Sequence, residues 1–126
     1  MGRILALDYG TKRIGVALSD ETKIIAIPKP YLLYSEKQKL IQLVKDSEVE
    51  AILLGLPLGL SGQETESTKK VRKFGDWLRE ETNLPVRMID ERLTTKEAQG
   101  LTKDRELIDS LVAQKMLERY LEKLKK

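Results

Sequence analysis

Three acidic positions in this chain stand where their neighbours are apolar. Asp8 ends the apolar run Ile4-Leu5-Ala6-Leu7 and is followed by Tyr9, Gly10 and the turn residues Thr11, Lys12 and Arg13. Asp90 and Glu91 end a second apolar run, Val86 to Ile89, and Arg92 and Thr94 come directly after. Asp109 lies in a helical pattern whose apolar arc holds Val112, Ala113, Met116, Leu117, Tyr120 and Leu124. It falls near the middle of that arc, one turn before Val112, while Ser110, Gln114, Lys115, Glu118, Arg119 and Glu122 form the outward arc. A carboxylate on an apolar face needs a partner, because an unpaired buried charge costs several kcal/mol or shifts its protonation.

The composition narrows what that partner is. The 126 residues include no histidine and no cysteine. That excludes a Ser-His triad, thiol chemistry, a disulfide framework and the common zinc sites. The remaining partners are an arginine, a lysine, a backbone donor or a cation that prefers oxygen. Asp8, Glu91 and Asp109 together make an oxygen donor set suited to one or two Mg²⁺ or Mn²⁺ ions. Such ions activate water and stabilise the leaving oxygen of an in-line phosphoryl displacement. Each position also has a plainer reading. Asp8 caps a turn as an Asx residue, Asp90 and Glu91 are loop charge paired with Arg92, and Asp109 complements a helix N-terminus. Their joint placement, at strand ends and on one helix arc, favours the cluster.

Gly10, Thr11, Lys12, Arg13, Arg92 and Thr94 flank these carboxylates. Cations and hydroxyls there would hold phosphates in register, with Gly10 allowing a backbone to come close. Lys69, Lys70, Arg72, Lys73 and Arg79 form a basic strip that reads mostly as a solvated helix face. Phe74 and Trp77 fall at core spacing and read as packing. Tyr9, beside Asp8, is placed where it could stack on a base.

The elements that must position these residues follow from periodicity. Residues 3–9 and 13–19 read as antiparallel strands joined at Gly10. Residues 23–33 read as a third strand, with Pro28 and Pro30 marking an edge. Ser35 with Gln38 suggests a capping box opening a helix to about Ser47, with Leu40, Ile41, Leu43 and Val44 inward. Residues 49–56 are a continuous apolar run, as expected of a central strand covered on both faces. After the loop Gly55-Leu56-Pro57-Leu58-Gly59-Leu60-Ser61-Gly62, Ser61 with Glu64 suggests a second capping box. The helix it opens runs to about Glu81, with Val71, Phe74, Trp77 and Leu78 inward. Pro85 to Ile89 is the last strand, Thr94 with Glu97 starts a short helix, and a final helix spans about Arg105 to Leu124. This order implies one α/β domain over residues 1–126: a mixed five-stranded sheet, three antiparallel strands then alternating helix and strand, with helices on both faces.

The net charge of +3 permits a nucleic-acid partner without demonstrating one. No stretch approaches the ~20 apolar residues of a membrane span, and Met1-Gly2-Arg3 runs straight into the first strand. A cytoplasmic protein without a signal peptide is the expectation.

Four segments carry a family resemblance: "LDYGTKRIGVALSD", "ILLGLPLGLSG", "DERLTTKEA" and "IDSLVAQKMLERYL". Together, in this order and over nearly the whole chain, they resemble the YqgF family. Those bacterial proteins are described as candidate Holliday junction resolvases and as the candidate pre-16S rRNA nuclease, with a ribonuclease H-like fold. The resemblance implies a metal-dependent nuclease for structured RNA or branched DNA. Carried over by position, Asp8, Glu91 and Asp109 match the acidic cluster that binds Mg²⁺ or Mn²⁺, with Asp90 supporting it. Gly10, Thr11, Gly55 and Pro57 fall on the family's loop signatures. One departure concerns the segment Ala98 to Leu107, which is shorter than the basic segment family members usually carry there; this puts substrate choice in question more than fold.

Two other readings compete. A non-catalytic nucleic-acid-binding or ribosome-assembly factor would keep the fold without efficient cleavage. A nucleotide-binding fold of the sugar-kinase and actin type shares the look of "DYGTKRIG" but needs two such domains and a much longer chain. Structured nucleic acid is the expected partner, a membrane is not, and a homodimer is left open.

Overall fold

The computed structural model describes residues 2–10, 12–90 and 105–124, with side chains from residue 110 onward in the last segment. Five strands form one sheet: β1 (Arg3–Tyr9), β2 (Arg13–Ser19), β3 (Ala26–Leu33), β4 (Val49–Leu56) and β5 (Val86–Asp90). Their spatial order is β3-β2-β1-β4-β5. β1 pairs antiparallel with β2, and β2 with β3, whereas β1–β4 and β4–β5 are parallel. The helices are α1 (Gln38–Asp46), α2 (Glu66–Thr82) and α3 (Arg105–Leu124). This is the mixed sheet that the alternating pattern implies.

Alternation along β1 divides the core into two layers. Leu5 and Leu7 face α1 and α2, packing with Ile52, Leu54, Leu40, Val44, Val71, Phe74 and Leu78. Ile4 and Ala6 face the other way, in a cluster with Ala17, Leu53, Ala113, Leu117 and Leu121. β4 supplies both layers, which explains its unbroken apolar run. The alanines on the second face are short, and they let α3 lie close over β1 and β2. Each fully buried leucine contributes about 1.5–3 kcal/mol relative to exposure.

Several boundaries differ from the sequence expectation, each for a local reason. The third strand begins at Ala26 rather than residue 23. The Asp20 carboxylate holds the preceding segment in a turn, accepting from the amides of Thr22 (3.2 Å), Ile24 (2.8 Å) and Ile25 (2.7 Å). α1 is entered from a 3₁₀ turn, Tyr34–Glu36, so Ser35 and Gln38 form no capping box. Glu36 instead accepts from the Leu33 amide at 3.0 Å. The cap of α2 is Thr65 with Thr68, not Ser61 with Glu64. Thr68 is buried because its hydroxyl also donates to the Pro57 carbonyl, tying the loop after β4 to the helix. Glu64 forms a two-point pair with Arg72 at 2.9 and 3.0 Å. On α3, Ser110 and Leu121 are buried, and Leu124, expected inward, is 51% exposed. The expected short helix at Thr94–Glu97 lies outside the described residues. Among the described residues no helix is long and apolar enough to cross a membrane.

Candidate active site at the carboxyl end of the first strand

Asp8 sits one residue before the end of β1, opposite Gly15 of β2. It is half-buried. Strand alternation sets it on the face of Ile4 and Ala6, the face that α3 covers. A carboxylate ending a strand packed on both sides has little freedom, so its position is fixed by the sheet rather than by a loop.

The turn after β1 is equally constrained. The Gly10 amide donates to the Arg13 carbonyl at 2.8 Å, closing the hairpin. A Cβ at Gly10 would lie 2.7 Å from that carbonyl oxygen, so close approach is what requires glycine here. Lys12 is exposed, and its carbonyl accepts from the Tyr34 amide at 2.8 Å. Arg13 is half-buried, with its guanidinium over the Tyr31 ring at 5.5 Å. Thr11 lies outside the described residues.

α3 starts at the same end of the sheet. The Ser110 hydroxyl donates to the Lys29 carbonyl of β3 at 2.7 Å. Lys29 is in register with Val16, and Val16 with Leu7, one residue short of Asp8. One turn later, Gln114 Nε2 donates to the Ala26 carbonyl at 3.4 Å, and Ala26 pairs with Ser19 at the far end of β2. The helix therefore runs away from the carboxyl end of β1. Residue 109 directly precedes Ser110, at the end of α3 that lies toward the carboxyl end of β1; its side chain lies outside the described residues.

Asp90 ends β5, in register with Leu56 and exposed. It borders a cavity of about 690 Å³ between β5 and α3, with Arg87, Ile89, Met116, Arg119 and Tyr120. Glu91, Arg92 and Thr94 lie outside the described residues. Among the described residues no three acidic side chains come close enough to hold a metal ion. The donor chemistry nonetheless suits a hard divalent cation: the chain offers carboxylates at this end of the sheet and has neither histidine nor cysteine.

A second feature was missed by the sequence reading. On the opposite face of the sheet, a cavity of about 440 Å³ is lined by the rings of Tyr9, Tyr34, Phe74 and Trp77. Lys37, Lys70 and Lys73 complete its wall. Tyr9 and Phe74 have centroids 4.6 Å apart, Phe74 stacks on Trp77 at 5.6 Å, and Tyr34 meets Tyr9 edge-on at 5.6 Å. Burial and a hydrogen bond to the Tyr34 oxygen push the Tyr9 hydroxyl up to about 12. The bonds from Tyr9 and from Lys37 lower Tyr34. Phe74 is core, as its spacing suggested, but Trp77 is only half-buried. The basic strip of α2 also divides. Lys69, Arg72 and Arg79 pair with Glu66, Glu64 and Asp76, whereas Lys70 and Lys73 line the cavity. The signal for this was the spacing Lys70, Lys73, Phe74, Trp77, which is one helix stripe; Tyr34 and Lys37 come from elsewhere in the chain.

The architecture is shared with solved structures of low sequence identity. RuvC from Thermus thermophilus, solved in complex with a Holliday junction substrate, superposes with a TM-score of 0.63 at 13% identity, covering 99% of this chain and 96% of that one. A second Thermus thermophilus RuvC structure gives 0.62 at 10% identity, with 98% and 96% covered. The fold is thus the ribonuclease H-like α/β class. Sequence relatives are closer. One from Koribacter versatilis is 41% identical over 134 aligned positions, covering 97% of this chain and 88% of the relative. One from Rhodopirellula baltica is 41% identical over 133, covering 96% and 77%. Both carry the name "Putative pre-16S rRNA nuclease". The model of the family described as RuvX, Holliday junction resolvase, matches residues 2–123, and the chain belongs to that nuclease family.

Proposed function

We propose that this protein is a divalent-metal-dependent nuclease that hydrolyses phosphodiester bonds in structured nucleic acid, with the 5′ region of precursor 16S rRNA as substrate. The observation that carries this is the convergence of β1 and α3. Asp8 ends a buried strand on the face covered by a helix whose first turns, including residue 109, start at that same end. Membership of the nuclease family and the names of the relatives point to the same chemistry.

Asp8, Glu91 and Asp109 are the residues that would hold the ion, with Asp90 supporting Glu91. Bound there, Mg²⁺ or Mn²⁺ would supply an activated water and charge stabilisation for the leaving oxygen. The chain itself supplies position. Asp8 is held by the sheet, and the Gly10 turn leaves a low backbone profile beside it. Lys12 and Arg13, with Thr11, Arg92 and Thr94, take the flanking phosphates, which orient the strand without reading its sequence.

The test is cleavage by the purified chain of a transcript carrying the 5′ precursor of 16S rRNA, beside a four-way DNA junction, in Mn²⁺ and in EDTA. Cutting of the RNA in Mn²⁺ and none in EDTA is expected. Cutting of the junction alone would move the substrate to branched DNA. Binding without cutting of either substrate in Mn²⁺ would leave a non-catalytic binding factor and overturn the proposal.

A further inference from the structure

The aromatic cavity beside Tyr9 plays no part in holding a metal, yet it is built from groups that recognise an unpaired nucleotide. We propose that it is a subsite for a single-stranded segment of the nucleic-acid substrate, taking a base against Tyr34 and Trp77 and its phosphate on Lys70 and Lys73. The proposal rests on the nuclease reading for the identity of the strand, but its geometry is independent of the metal ligands.

Three observations carry it. First, charge: among the described residues, Lys37, Lys70 and Lys73 line the cavity and no carboxylate does. Acids on and just before α2 are already matched, Glu66 with Lys69, Glu64 with Arg72 and Asp76 with Arg79. Among the described residues, Lys70 and Lys73 are in no ion pair and are exposed. Second, ring faces: the Lys37 ammonium lies over Trp77 at 4.8 Å and over Tyr34 at 5.0 Å, donating to the Tyr34 oxygen at 3.4 Å. The half-buried Lys37 side chain covers one face of the Trp77 ring, whose neighbour on the core side is Phe74, and lies over the exposed Tyr34 ring. A base can displace it, and the released ammonium then meets the phosphate. Base-on-aromatic stacking is tolerant of sequence, and a basic groove tracks the backbone. Third, place: Tyr9 follows Asp8 directly, and alternation turns it to the opposite face at the same end of β1. A strand crossing the carboxyl end of the sheet at Asp8 reaches this cavity by continuing around the edge. A duplex cannot present a base there.

Trp77 is the only tryptophan in the chain, so its emission reports on the subsite. The experiment titrates the full-length protein, in EDTA to prevent cleavage, with a short oligoadenylate RNA, the same strand in a duplex, and polyglutamate. Quenching of Trp77 by the single strand, with weak response to the other two, is expected. Lys70→Ala with Lys73→Ala should lower the slope of log affinity against log salt by about 1.4, at about 0.7 per phosphate neutralised. Tyr34→Ala should weaken binding at least about fivefold, the low end for loss of one stacked base. Circular dichroism confirms that the variants fold. Cleavage by Asp8→Asn separately tests the nuclease reading. No change in Trp77 emission at saturation, equal binding of the duplex or polyglutamate, or wild-type affinity and salt slope in folded variants would overturn the subsite.

Discussion

Single atoms fix both ends of β1, the strand that carries Asp8. At the start of that strand the Ile4 amide donates to the buried Ser19 hydroxyl at 2.8 Å, and that hydroxyl donates to the Asp20 carbonyl at 3.0 Å. Ser19→Ala leaves a buried amide without its acceptor. Urea unfolding should show a loss of about 1–3 kcal/mol. Gly10→Ala places a methyl 2.7 Å from the Arg13 carbonyl, so the hairpin turn must shift. The expected outcome is slower cleavage with near-normal circular dichroism, because the turn sits beside Asp8 while the core is untouched. At this scale the place of Asp8, near the carboxyl end of a buried strand, was legible from the apolar run it ends. Ser110 was not. Its burial depends on the Lys29 carbonyl, 81 positions away, and no local pattern encodes that partner.

Caps and turns decide where each element begins. Thr65 caps α2 by accepting from the Thr68 amide at 3.4 Å, while the Thr68 hydroxyl accepts from the Thr65 amide at 2.9 Å. Thr65→Ala should cost about 0.5–2 kcal/mol in thermal or urea unfolding, whereas Ser61→Ala should have little effect. The spacing of Ser61 and Glu64 fits the same pattern. What selects Thr65 is the tie from Thr68 to the Pro57 carbonyl, a contact between the loop and the helix. Asp20 governs the turn before β3. Hydrogen bonds from the Thr22 hydroxyl and from the amides of Ile25, Ile24 and Thr22 hold its carboxyl well below the usual carboxylate range. A lowered folded value means its stabilisation is present above the ordinary carboxylate pKa, about 3.9, and is lost as pH falls through the folded value. The stability difference between wild type and Asp20→Ala should therefore be flat near neutrality and shrink as pH drops below about 4. A difference that grows in acid would contradict this. The sequence extended β3 back to residue 23 because Ile24 and Ile25 are β-branched; side-chain capping by Asp20 outweighs that preference.

Across the whole molecule, one sheet separates the two proposed sites. The face under α3 carries Asp8 and the start of the last helix, and the face under α1 and α2 carries the aromatic cavity. The order of elements along the chain, the mixed sheet, the doubly covered β4 and the nuclease family were all legible, because each rests on long patterns of apolar spacing or motif order. The aromatic cavity was not, because its walls come from β1, the turn before α1 and α2, which only the folded chain brings together. The central claim is that Asp8 is a ligand of the catalytic ion, and single-turnover cleavage in Mn²⁺ by wild type and Asp8→Asn tests it most directly. With the fold verified by circular dichroism, the variant should cut at least about 10²-fold more slowly, the scale of the several kcal/mol that a bound metal supplies. A folded Asp8→Asn protein that cuts as fast as wild type would contradict it.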